Sequence, residues 1–294
     1  MRQLAPKIAL LPFFIVVAVV YVGCIIWTMR VSVTSSRSIP VYDFVGFEQF
    51  AAIFRSSRWI VSLQNMAIFG IGYVVGCLIL GYLLAIFIDQ KVRGENALRT
   101  IFLYPHAMSF IVTGLVWQWM LNPTHGIQDF VQGLGFENFR FDWIVDRHMA
   151  IYTIVIAGVW HGAGFVMALL LAGLRGIDED IWKAAKVDGV PPWRMYVEVV
   201  APMMVPMFIT CAVLLSTQAI KAYDIVVAMT NGGPGIATEV PAKYVMDYLF
   251  ERGSVSRAAA AATVMLGIVA AIAAPVIYAR SFNKTRAKSR GKAA

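Results

Sequence analysis

The sequence predicts an all-α integral membrane protein with six transmembrane helices. Of its 294 residues, 59% are hydrophobic and only 14% are charged, whereas a soluble domain carries about 25% charged residues. A helix needs about 20 apolar residues to cross the hydrocarbon core of a bilayer, and inside lipid its backbone must be hydrogen-bonded within the segment. Six apolar runs meet this requirement: 8–29, 60–88, 100–121, 150–173, 202–221 and 257–279.

The first run is predicted to be a retained helix rather than a cleaved signal peptide. It is longer than the 7–15 apolar residues of a typical signal peptide, and it ends at Met29-Arg30 without a small-x-small cleavage pattern. The second run is long enough to tilt or to project beyond the bilayer.

Basic residues predict the orientation in the membrane. The segment after residue 279 holds six Lys and Arg residues and no acid; with the N-terminus on the same side as this tail, that side holds 15 of the 25 basic residues, and the bias outside the tail is slight. Because Lys and Arg accumulate on the cytoplasmic side, both termini are expected in the cytoplasm. The net charge of +8 is therefore attributed to the membrane surface, and no nucleic-acid partner is expected.

No catalytic, metal or cofactor site is predicted. The three cysteines, Cys24, Cys77 and Cys211, lie inside apolar runs without Cys-x-x-Cys or Cys/His spacing. The chain contains no Gly-x-x-x-x-Gly-Lys-Ser/Thr phosphate loop and no recognisable hydrolase triad. If transport is driven by ATP, another chain must therefore bind and hydrolyse it.

The loop between the fourth and fifth runs predicts a short cytoplasmic amphipathic helix. Asp178 is suited to cap its start, and Ile181 and Trp182 supply apolar surface. Asp188-Gly189 is expected to end it, because glycine accepts positive φ. Two interpretations of the residues stay open: a docking site for a cytosolic partner, and a plain interfacial helix.

The same loop resembles the EAA loop of bacterial ABC importer permeases. The matching string is Lys183-Ala184-Ala185-x-x-Asp188-Gly189, with Pro202 following; Lys183 replaces the usual Glu, so any charged contact made there must differ. The resemblance implies a type I ABC importer permease fold. It also implies that these five residues form a coupling helix held in a cleft of an ATP-binding subunit.

Two further stretches resemble carbohydrate-importer permeases. Thr230-Asn-Gly-Gly-Pro-x-x-x-Thr238 matches an outward-facing signature of that family, and the segment from Trp117 to Pro123 is also similar. The resemblance covers about residues 65–279 and is greatest to permeases of the maltose type, particularly those for glucose and glucosides. It implies sugar contacts at Gly158, His161, Gly162, Phe165 and Lys221. Trp117 is a further candidate, whereas ordinary helix packing for His161 and snorkelling of Lys221 to water are the alternatives.

The resemblance also implies a division of the chain and an assembly. Residues 1–59 would form the first helix and a periplasmic loop, 60–280 a five-helix core with its coupling loop at about 176–200, and 281–294 a basic cytoplasmic tail. The expected partners are a second, homologous permease, two ATP-binding cassette subunits that hold ATP and Mg, a periplasmic sugar-binding protein, the sugar and membrane lipid. The complex would lie in the bacterial inner membrane and work by alternating access.

Two other functions are considered. An ion- or proton-coupled secondary sugar transporter usually has a carboxylate inside a span, and the six runs contain no Asp or Glu. A non-transporting membrane scaffold is the second alternative.

Overall fold

The computed structural model describes residues 5–39, 41–90 and 92–290, and their side chains within residues 10–274. In the described part of the chain the fold is helical, with one isolated bridge between Thr34 and Phe44. The helices are α1 (Ala5–Val16), α2 (Gly23–Ser32), α3 (Glu48–Phe54), α4 (Ser57–Asp89), α5 (Glu95–Ala107), α6 (Phe110–Met120), α7 (Ile127–Gly133), α8 (Ala150–Leu174), α9 (Glu179–Val187), α10 (Pro192–Arg194), α11 (Ala201–Met203), α12 (Val205–Ile220), α13 (Asp224–Thr230), α14 (Pro241–Met246) and α15 (Val255–Arg290). π-Helical segments at Val17–Val22, Met195–Val200 and Asp247–Glu251 and a 3₁₀ turn at Trp143–Val145 complete them.

The chain forms two compact units, Met1–Ile60 with Pro241–Ala294, and Val61–Val240. In the first unit, α15 packs against α2, α3 and α14. Its start is lined with small buried residues, Ala258–Ala261, which permit close helix contact in lipid. The buried carboxylate of Asp247 is neutralised by Lys243, at 2.8 Å, and by Arg58.

The second unit is built around α8, most of whose residues are buried. Helix α4 packs closely on it because Gly72, Gly76 and Gly81 of α4 face Val155, Val159 and Val166 of α8. Helix α5 crosses α8 at Gly164, where a Cβ atom would lie 1.8 Å from the carbonyl oxygen of Phe102. Small residues thus determine where these helices meet.

Two of the predicted continuous spans are broken. Helices α5 and α6 meet at 97°, and the segment Pro192–Met203 meets α12 at 71°. In the first break Met108 is extended, and the Ser109 side chain accepts a hydrogen bond from the Val112 amide, starting a new helix. In the second, Pro206 stands in the first turn of α12, where its missing N–H is not needed. The predicted fifth run, 202–221, begins too late, because the helical segment already begins at Pro192.

The number of spans agrees with the sequence prediction. Among the described residues, four helices are long and apolar enough to cross a membrane, and there are six if each bent pair is one span. The all-helical membrane fold is therefore confirmed. The predicted domain boundaries stay predictions, and residues 291–294 of the predicted basic tail lie outside the described residues.

Candidate functional site

The loop helix α9 forms as its local signals predict. The Asp178 carboxylate accepts a hydrogen bond of 3.0 Å from the Asp180 amide at its start. At its end the Gly189 amide bonds to the Lys186 carbonyl and the Val190 amide to the Ala185 carbonyl. This is the Schellman pattern, which needs a left-handed residue after the helix, and Gly189 supplies it with φ of 67°.

Helix α9 has an inner and an outer face. Ile181, Trp182 and Ala185 are partly buried and pack against the apolar core. On the outer face Ala184 is exposed and Val187 is 87% exposed. Lys183 is also exposed, and its ammonium group lies 3.0 Å from Asp180 and 3.9 Å from Glu179. The residue that replaces the usual Glu is thus paired within its own helix.

A charged network surrounds the same end of the second unit. Arg175, after α8, contacts Glu95 of α5 at 2.8 Å and Asp89 of α4 at 3.7 Å, and Arg99 also contacts Glu95 at 2.8 Å. These pairs join the ends of three helices. They are partly exposed, so each contributes little to stability by itself.

A small cavity of about 20 Å³, room for about one water molecule, lies in the second unit near the break between α12 and α13. Its aromatic wall includes the stacked rings of Phe69 and Tyr73, whose centroids are 5.4 Å apart. The Tyr73 hydroxyl donates to the Gln218 side-chain oxygen at 2.8 Å. The remaining lining residues are Phe110, Lys221, Ala222, Asp224 and Ile225.

The lining groups are of the kinds that contact a polyhydroxylated ligand, and such a ligand would enter only when this small cavity widens. Aromatic rings can pack on an apolar face, while an amide, an ammonium group and a carboxylate can exchange hydrogen bonds with hydroxyl groups. Lys221 is the one predicted sugar residue that lines this cavity.

Gly158 and Gly162 lie behind the aromatic pair instead. A Cβ atom at Gly158 would lie 3.1 Å from Phe69, and one at Gly162 would lie 2.8 Å from the Tyr73 hydroxyl. The absence of side chains at these positions allows the stacked rings to sit against α8. Their direct contact with sugar stays a prediction.

His161 is also one layer behind the cavity. It is 3% exposed, and its Nε2 lies 3.1 Å from the Met108 carbonyl oxygen at the break between α5 and α6. Its ring stacks on Phe110, which lines the cavity, with centroids 4.1 Å apart. His161 is thus placed to fix the break and to support Phe110.

Phe165 and Trp117 take part in other aromatic pairs. Phe165 stacks on His106 with centroids 4.7 Å apart, and Trp117 meets Trp160 edge to face at 5.9 Å. Neither Phe165 nor Trp117 lines the described cavity.

Sequence reasoning missed most of the lining residues, among them Phe69, Tyr73, Phe110 and Gln218. One signal was available for Gln218, a polar side chain inside an apolar run, because such residues are expensive in a membrane and mark functional positions.

Hydrogen bonds inside the turn between Thr230 and Thr238 account for the spacing of its motif. The hydroxyl groups of Thr230 and Thr238 are 2.7 Å apart, and Thr238 donates to the Gly233 carbonyl at 2.9 Å. Asn65 of α4 donates hydrogen bonds of 2.9 Å to the carbonyl groups of Ala237 and Glu239. The two threonines therefore close the loop, and α4 anchors it.

Residues 77–286 match the family of binding-protein-dependent transport system inner membrane components. The chain belongs to this family. The permease is 33% identical over 271 residues to a probable ABC transporter permease protein of Pyrococcus horikoshii, covering 92% of this chain and 93% of that one. It is 30% identical over 272 residues to the xylose/arabinose import permease protein of Haloferax volcanii, with coverage of 91% and 85%.

The fold of the permease is that of solved ABC importer permeases. It superposes on a chain of a bacterial ABC transporter involved in import of the acidic polysaccharide alginate with a TM-score of 0.80. The two chains are 18% identical, and the match covers 97% of this chain and 96% of that one. The predicted type I permease fold and the resemblance read from the EAA-like loop are confirmed, and membership of this family rejects the secondary-transporter and scaffold alternatives.

Proposed function

We propose that this chain forms half of the translocation pathway of an ATP-driven sugar importer and is coupled to a separate ATPase through α9. The observation that carries the proposal is the two-faced α9, whose inner face packs on the core while its outer face, with Ala184 and Val187, lacks a covering element in the described chain. We assign this uncovered face, with Val187 87% exposed, to contact with the ATPase.

The other subunits supply what this chain lacks. A second, homologous permease completes the pathway, two ATP-binding cassette subunits bind ATP and Mg, and a periplasmic binding protein delivers the sugar. This chain itself is non-catalytic and binds no cofactor. Both termini and α9 face the cytoplasm, because the basic residues cluster on that side.

A sugar is the substrate class that the cavity and the relatives both support. The cavity combines the aromatic pair Phe69 and Tyr73 with Gln218, Lys221 and Asp224. One relative is named for xylose and arabinose import, and the superposed structure belongs to an alginate importer. Within the bilayer, ATP binding favours the outward-open state only to the extent that the ATPase binds that state more tightly.

Replacement of Gly189 tests the coupling. Gly189→Pro cannot adopt a φ of 67° and removes the amide that bonds to Lys186. We expect the variant to insert and assemble, but to lose ATP-dependent sugar import into vesicles. Gly135→Pro is the matched control, because Gly135 also has positive φ, 101°, its amide also bonds to the carbonyl group three residues earlier, and it lies in the loop after α7. Import by Gly189→Pro at the wild-type rate would refute the role of α9.

A further inference from the structure

The inner face of α9 contacts the side chain of Tyr196. Trp182 of α9 meets Tyr196 edge to face, with ring centroids 5.4 Å apart. Tyr196 lies in the π-helical segment that precedes α11, and it is 9% exposed. Since Trp182 is partly buried against this ring, displacement of α9 must move Tyr196 or break the contact.

Tyr196 is held by hydrogen bonds to α4 and to the residue that follows it. Its hydroxyl oxygen accepts from the Gln90 side-chain nitrogen at 2.8 Å, and its carbonyl oxygen accepts from the Tyr82 hydroxyl at 2.8 Å. One bond holds the side chain and the other holds the backbone. Both the backbone and the side chain of Tyr196 are therefore held near the end of α4.

Helix α4 continues without a break to the cavity. Tyr73 and Phe69, in the same helix, form the aromatic wall. At 1.5 Å per residue, Tyr73 lies about 14 Å along the helix from Tyr82 and about 25 Å from Gln90. Gly72, Gly76 and Gly81, which face α8, keep this part of α4 in close contact with that helix.

Helix α12 is contacted by α4 at two levels. Tyr82 meets Phe208 edge to face with centroids 5.1 Å apart, and Tyr73 bonds to Gln218. A shift of α4 thus changes two sides of the cavity, the aromatic wall and the polar group that Tyr73 holds.

We infer that Tyr196 is a positioning residue that transmits the movement of α9 to the cavity through Gln90, Tyr82 and α4. This relay rests on the proposed ATP-driven function, because the force on α9 comes from the ATPase. It assigns a specific role to residues outside the EAA-like string and outside the cavity.

The test measures opening of the cavity without a sugar. In a chain with Cys24, Cys77 and Cys211 replaced by Ala, Ala222→Cys places one thiol in the cavity lining. The assembled complex with its partner permease and ATPase is reconstituted in vesicles. The rate of modification by a membrane-impermeant maleimide is then compared with and without ATP, alongside the rate of ATP hydrolysis.

Removal of one hydroxyl should weaken the response to ATP. In Tyr196→Phe and in Gln90→Leu we expect the ATP-dependent change in modification rate to fall about 2- to 10-fold, the range of one neutral hydrogen bond. ATP hydrolysis should persist in both. The double variant should lose no more than Tyr196→Phe alone, because Tyr196→Phe already breaks the bond to Gln90. Tyr104→Phe is the matched control, since Tyr104 is 64% exposed and should behave like the parent.

The aromatic contact is tested separately. Trp182→Ala should reduce the response, and Trp182→Phe should restore most of it because a ring is kept against Tyr196. A full ATP response in both Tyr196→Phe and Gln90→Leu would overturn the relay while leaving the proposed function intact. No ATP response in the parent itself would overturn the proposed function and the relay with it. If Tyr196→Phe does not assemble, Gln90→Leu alone tests the relay, because it removes the donor of the same hydrogen bond.

Discussion

Gly164 is the position where the structure tolerates an added methyl group least. In Gly164→Ala the new Cβ would lie 1.8 Å from the Phe102 oxygen and 2.6 Å from its carbonyl carbon, whereas real Cβ atoms essentially never approach within 3.0 Å. Both clashing atoms are backbone, so no side-chain rotation relieves them. Helix α5 must move away from α8 by about 1 Å or more, in an interior packed too densely to absorb the shift.

The expected cost follows from overpacking. Extra atoms in a packed core cost about 1–3 kcal/mol, and each kcal/mol lowers the midpoint of thermal unfolding by about 2–4 °C for a chain of roughly this size. We therefore expect Gly164→Ala to lower the apparent midpoint in detergent by about 2–12 °C. The same displacement would separate His106 from Phe165 and His161 from Met108, so sugar import should fall as well.

Gly267→Ala provides the matched control for this experiment. Gly267 is also helical, and nothing lies within 4 Å of its ideal Cβ. Alanine in a helix interior is favoured over glycine by about 0.5–1 kcal/mol, so this variant should match or exceed the wild-type midpoint. If Gly164→Ala unfolds at the same temperature as Gly267→Ala, the close crossing of α5 and α8 is wrong.

Two further predictions concern a membrane-buried and an exposed polar group. His161→Leu leaves the Met108 carbonyl without its partner, which costs about 1–3 kcal/mol, and should reduce sugar-stimulated ATP turnover without preventing assembly. The exposed His148→Leu is its control, and equal kinetics of the two variants would reduce His161 to packing. Asp146 accepts hydrogen bonds from the His148 and Met149 amides, which hold the pKa of its carboxyl below the ordinary 3.8. Because the pKa of Asp146 is lower in the folded state, its stabilisation is complete above pH 3.8 and is lost as the pH falls through the folded value. The difference in unfolding midpoint between wild type and Asp146→Ala should therefore be present at pH 7 and shrink below pH 4. A difference independent of pH would contradict this assignment.

Local signals predicted local structure well. The cap at Asp178 and the turn at Gly189 depend on neighbouring residues, so the bounds of α9 could be read directly from the chain. The positions of the spans were likewise predictable, because lipid demands apolar residues over a fixed length. The break at Ser109 was hidden, since its flanking residues are apolar and hydropathy does not distinguish one bent span from a straight one.

Tertiary arrangement of the cavity was not predictable in the same way. Phe69 and Tyr73 resemble any other aromatic residue of an apolar run, and only their stacking against Gly158 and Gly162 places them on the wall. The resemblance assigned Gly158 and Gly162 to sugar contact, which stays a prediction. Only the packing of α4 over Gly158 and Gly162 determines which face of α8 they occupy.

The charged groups of the second unit fall into a paired and an unpaired set, and this division bears on how much of the site one chain holds. Arg175, Glu95 and Asp89 neutralise one another at the helix ends, and Tyr73 pairs with Gln218 as neutral groups. Lys221 and Asp224 line the cavity, yet neither forms a salt bridge with any described residue. Unpaired charges near a membrane interior are expensive. They must therefore meet water, sugar or polar groups of a second subunit, which is the condition expected of a pathway that this chain closes on one side only.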